Sequence, residues 1–103
     1  MDKYKSKIES EGMNLIAEGL QKLKSKEEIY RFFEDIFTIN EIKSIEQRIL
    51  VAKMLKEKKI YTDIEITTGA SSATISRVNR CLNYGSDGYN IILERLKEET
   101  ASK

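Results

Sequence analysis

The chain has 103 residues and a net charge of +1 from 18 basic and 17 acidic side chains, so there is no global electrostatic case for nucleic acid. It has no histidine, no proline and a single cysteine, Cys81, which excludes an intrachain disulfide and sets aside structural zinc and histidine-based catalysis. The length suits one domain, residues 1–103, and no apolar run of secretory or membrane-spanning length is present, so a soluble cytoplasmic protein without membrane contact is expected.

Apolar residues recur at helical spacings throughout and no strand-like alternation lasts, which predicts an all-α fold of about six helices. A first helix is expected from residue 4 to about residue 23, with Ile8, Leu15, Ile16, Leu20 and Leu23 on its apolar side. Gly12 and Gly19 each cost about 1 kcal/mol relative to alanine, so a kink or a frayed start is expected there. Ser25 and Glu28 form a capping box that opens a second helix, whose stripe of Ile29, Phe32, Phe33, Ile36 and Phe37 reads as core. Thr38 and Glu41 form another, opening a long third helix to about Lys58. That helix carries Ile42, Ile45, Ile49 and Ala52 on one side and Val51 and Leu55 on another, widened by Leu50 and Met54. Such a helix must be covered on more than one side, which points to a second copy in a symmetric homodimer.

Residues 61–83 read as a helix-turn-helix. Ile64 points inward from the first helix, Thr68, Gly69 and Ala70 make the turn, and Ser71 caps a second helix that runs to about Asn83. Gly69 suits a residue at positive φ. At 100° per residue, Ile75, Val78 and Leu82 share the inner face, with Ala73, Ser76, Arg77, Arg80 and Tyr84 on or near the opposite one. No acid occurs from Gly69 to Ser86, whereas a merely solvated helix face would more often mix glutamate with lysine. Over Lys56 to Leu82 the bases Lys56, Lys58, Lys59, Arg77 and Arg80 face the acids Glu57, Asp63 and Glu65. A turn-rich loop follows, and Ser86 or Asp87 can cap a last helix with Tyr89, Ile92, Leu93 and Leu96 as its buried stripe. Cys81 is expected as a small packing residue.

Two stretches carry a family resemblance: TGASSATISRVNRCLNYGSDGY from Thr68 to Tyr89, and EQRILVAK from Glu46 to Lys53, with Phe37 and Thr38 ahead of the third helix. With these the chain resembles the tryptophan repressor superfamily, in particular its YerC/YecD-type branch, from about Ser25 to Leu96. The resemblance implies an intertwined homodimer whose two helix-turn-helix heads meet successive major grooves about 34 Å apart on a near-palindromic operator. It also implies an effector site at Thr38, Arg48 and Arg77, which match a threonine and two arginines that hold tryptophan in the family's namesake. The glycine after the second arginine there is Val78 here, whose branched side chain takes space an indole needs, and a nearby serine is Cys81. The expectation is therefore no cofactor, with L-tryptophan the corepressor that Val78 argues against and any other small effector unknown. The family's base-contacting arginine in the first helix of the motif aligns with Thr62, and Ile60 stands where the branch offers a threonine cap.

The sequence thus predicts a transcriptional regulator, a repressor acting by occlusion on double-stranded DNA, with no catalysis. Ser71, Ser72, Ala73, Thr74 and Ser76 are the candidates for base edges or nearby phosphates, Arg77 and Arg80 for phosphates or guanine, and Thr62 for a contact from the first helix. The alternative is a dimeric helical protein-interaction module without specific DNA binding. An acidic or apolar recognition face would mark that alternative.

Overall fold

The computed structural model describes residues 4–102, with side chains described through residue 99. Six helices follow one another: α1 (Glu11–Leu20), α2 (Lys26–Ile36), α3 (Ile39–Lys56), α4 (Tyr61–Thr68), α5 (Ser72–Tyr84) and α6 (Gly88–Ser102). The described residues contain no strand. The chain divides into two compact units, Met1–Thr38 and Ile39–Lys103.

In the first unit α1 begins seven residues later than the periodicity predicts. Ser10 supplies the reason, since its Oγ accepts from the Met13 amide at 3.1 Å and Glu11 adds a carboxylate to the first turn, where the helix dipole favours it. The start expected to fray is simply not helical, and Leu23 lies beyond the other end. α2 opens as predicted, with Ser25 Oγ accepting from the Glu28 amide at 3.2 Å. The reciprocal arm lands one residue early, because the Glu28 carboxylate accepts from the Lys24 amide at 2.7 Å. Along α2 the Phe33 ring meets Phe37 edge-on with centroids 5.2 Å apart and tilts against Phe32 at 6.2 Å. No residue of α1 or α2 is buried, so the aromatic stripe expected as core is only half-covered.

The second unit has a closed core. Val51 and Ala52 of α3, Ile64 of α4, Ala70 of the turn, and Ile75 and Val78 of α5 are buried against one another. Met54, Leu55, Leu82, Tyr89 and Leu93 pack around them. Each fully buried Ile or Val contributes about 1.5–3 kcal/mol relative to exposure, enough to hold three helices in register. The two sides of α3 fare differently: Val51 and Ala52 are covered completely, while Ile42, Ile45 and Ile49 are half-buried and Leu50 is exposed. α3 ends in a Schellman arrangement, the Lys59 amide donating to Met54 O and the Lys58 amide to Leu55 O, both at 3.0 Å. Lys58 fills the left-handed position, φ 65°, that glycine usually takes. On α6, Tyr89 and Leu93 pack as expected. Ile92 and Leu96 do not: they are 52% and 55% exposed, because the core meets only one edge of that helix.

Candidate nucleic-acid interface

The turn between α4 and α5 is braced from three directions. Gly69 sits at φ 75° and closes α4 by donating its amide to Glu65 O at 2.9 Å. The Thr68 hydroxyl donates to Ile64 O at 2.7 Å and accepts from the Ala70 amide at 3.1 Å, so one side chain ties the last turn of α4 to the second residue beyond it. From α3, Gln47 Nε2 donates to Thr68 O at 3.2 Å. The Gln47 role was not evident from sequence, where it sits in the polar triplet Glu46, Gln47 and Arg48.

α5 starts where the sequence places it. Ser71 Oγ accepts from the Thr74 amide at 3.2 Å and donates to Thr74 Oγ1 at 3.1 Å, so both hydroxyls belong to the cap and only the Thr74 proton is left to donate outward. Of the predicted contact residues, Ser72, Ala73, Ser76, Arg77 and Arg80 are exposed together on the side of α5 away from its buried Ile75 and Val78. Thr74 is half-buried and lies off this stripe. Thr62 is exposed on α4, whose N-cap residue Ile60 makes no side-chain cap bond. No acid lies in the first turn of α5, which leaves the positive end of its dipole uncompensated.

The far end of α5 is also rigid. Gly85 donates its amide to Cys81 O at 2.9 Å, and a Cβ at Gly85 would lie 2.5 Å from that same oxygen, so the chain turns off the helix in a way only glycine fits. Asn90 then bolts the second unit together, donating from Nδ2 to Leu82 O at 3.0 Å and Asp87 Oδ1 at 3.2 Å while its own Oδ1 accepts from Lys56 Nζ at 3.0 Å. The side chain of Asp87, expected as a cap, serves this joint, with its backbone at φ 68°.

Of the predicted effector residues, Thr38 directly precedes α3, and Arg48 and Arg77 are exposed on α3 and α5. Both arginines act electrostatically on the phenol of Tyr89. The pKa of Tyr89 is raised above its ordinary value of 10.0 by burial and by the neighbouring Cys81 thiol, with Arg48 and Arg77 both pulling it back. An open recess of about 420 Å³ lies beside it, lined by Ile49, Cys81, Ser86, Asp87, Gly88, Tyr89 and Ile92. Val78 is buried in the core and does not line it. Cys81, expected inside, is exposed at this recess, because it falls on the α5 flank beyond the core. The described residues contain no cluster of potential metal ligands and no helix long and apolar enough to cross a membrane.

An arrangement of three core-packed helices with a tight glycine turn and an acid-free, exposed second helix defines a helix-turn-helix head. The Trp repressor protein family model matches residues 11–97, and the chain belongs to that family of DNA-binding regulators. It is 51% identical over 100 residues to the uncharacterized protein YerC of Bacillus subtilis (strain 168), covering 94% of this chain and 96% of that one. Two crystal structures share the fold. One, of a candidate Trp repressor from Staphylococcus aureus, is 44% identical with a TM-score of 0.82, covering 88% of this chain and 91% of that one. The other, of a TrpR-like protein from Eubacterium eligens ATCC 27750, is 53% identical with a TM-score of 0.83, covering 88% and 94%.

Proposed function

We propose that this protein is a sequence-specific transcriptional repressor that binds a near-palindromic operator as a homodimer and acts by occlusion, without catalysis, in the cytoplasm. The observation that carries the reading is the exposed side of α5, where Ser72, Ala73, Ser76, Arg77 and Arg80 stand clear of the core with no acid among them. Short side chains at the start of α5 let its backbone approach base edges, and the arginines a turn later reach phosphates or guanine. Thr62 adds a contact from α4, and Ser71 and Thr74 hold the helix start. Dimerisation is supported by the apolar residues the chain leaves uncovered on α1, α2, α3 and α6, among them Leu15, Ile29, Ile36, Leu50, Ile92 and Leu96. The family match spans both compact units, which supports their working as one domain.

No cofactor is required in this reading. Val78 is seated in the core and takes no part in the recess beside Tyr89; Thr38, Arg48 and Arg77 are the residues that the family resemblance assigns to tryptophan. Selection of bound duplexes from a random pool, with and without tryptophan at fixed salt, tests both points. A palindromic consensus in both conditions is expected. Enrichment only with tryptophan would establish a corepressor, and no consensus in either would transfer the reading to a protein-interaction module.

A further inference from the structure

Tyr84 is the most exposed large hydrophobic residue among those described, at 87%, and its hydroxyl has no hydrogen-bond partner among them. It is not on a loose loop. It is the last residue of α5, pinned by the Gly85 amide on Cys81 O and by the close approach that excludes a Cβ at Gly85. Its azimuth continues the stripe of Ala73, Arg77 and Arg80 at spacings of four, three and four residues. Nothing among the described residues accounts for a solvated phenol at this anchored helix end, in line with that stripe.

We infer that Tyr84 is a DNA-backbone contact, its hydroxyl donating to a phosphate oxygen at the edge of the groove that α5 enters. The inference rests on the reading of α5 as the recognition helix. From Ala73 to Tyr84 the helix rises roughly 16 Å. A major groove is about 12 Å wide, so when the start of α5 lies at its floor the end stands at the phosphate ridge. A neutral hydroxyl is suited to that ridge, because it fixes the orientation of the helix without reading sequence. It also differs from the arginines in a measurable way. Neutralising a phosphate releases counterions and steepens the salt dependence, whereas a phenol donates a hydrogen bond and releases none.

The test is a titration of wild type, Tyr84→Phe, Tyr84→Ala and Arg80→Ala on a selected duplex and on an unrelated one, across a salt series. Tyr84→Phe should weaken binding to both duplexes by about two- to tenfold per recognition helix, with the salt slope unchanged. Arg80→Ala should weaken binding and flatten the slope. Wild-type binding with an unchanged Tyr84→Phe affinity would overturn the inference alone. Unaltered binding by Tyr84→Phe with altered sedimentation of Tyr84→Ala would overturn it in favour of a contact between protein chains. Absence of duplex binding by wild type would overturn the recognition-helix reading and the inference with it.

Discussion

The two compact units use similar residues to different ends. Ile39–Lys103 folds Val51, Ala52, Ile64, Ala70, Ile75 and Val78 into a closed core, whereas the helices of Met1–Thr38 bury nothing, although α2 alone carries two phenylalanines and three isoleucines or tyrosines. Composition alone does not make a core. The difference lies in whether apolar faces from separate helices converge, as those of α3, α4 and α5 do. One unit is therefore built to present a rigid surface, and the other is built with apolar surface still to be covered.

Substitutions that remove apolar contacts in each unit should separate these roles. Ile64→Ala empties a fully buried site at the centre of the head and should cost about 3–4 kcal/mol, read as a lower urea midpoint at every protein concentration. Phe33→Ala removes the ring at the middle of the α2 stripe. In the proposed dimer it should weaken association by about 2 kcal/mol, roughly thirtyfold in the dissociation constant by sedimentation, and its effect on stability should fade as concentration rises. Identical sedimentation of Phe33→Ala and wild type would remove the stripe from the interface.

Local geometry in the head gives smaller effects. Gly85→Ala sets a Cβ 2.5 Å from Cys81 O, and the backbone must shift; a loss of about 1–3 kcal/mol is expected, with α5 shortened at its end. Ser71→Ala deprives the Thr74 amide of its acceptor and should lower stability by about 1 kcal/mol in thermal unfolding, while Ser71→Asp should retain most of it. Equal losses in the two Ser71 variants would show that the hydroxyl bond to Thr74 Oγ1, rather than the cap, is what matters.

Features encoded within a turn or two of chain were legible in the sequence. The Ser25 and Ser71 caps, the left-handed Gly69 and the inward set of Ile75, Val78 and Leu82 are local consequences of residue type and spacing. The candidate contacts followed from the same periodicity, although Thr74 proved to belong more to the cap than to the stripe. Features that need distant parts to meet were not legible. Gln47 reaches Thr68 across 21 residues and Lys56 reaches Asn90 across 34, and no spacing rule announces either bond. The exposure of Cys81, Ile92 and Leu96 was missed because helical periodicity identifies an apolar face but not how much of it one chain can cover.

The end of α3 allows stability and binding to be moved in opposite directions. Lys58 occupies a left-handed position without side-chain help, which costs a residue with a Cβ about 1–2 kcal/mol, and glycine would remove that cost while giving back about 0.5–1 kcal/mol in unfolded-chain entropy. Lys58→Gly should therefore gain about 0.5–1 kcal/mol in thermal unfolding. The same change removes an exposed cation from the stretch between α3 and α4, beside the head. If Lys58 touches phosphate, the more stable variant should bind DNA more weakly, with a salt slope smaller by about one per head. A gain in stability with unchanged affinity would mean that the lysine serves neither fold nor operator, whereas a loss of stability would show that its side chain packs in a way that outweighs the strain.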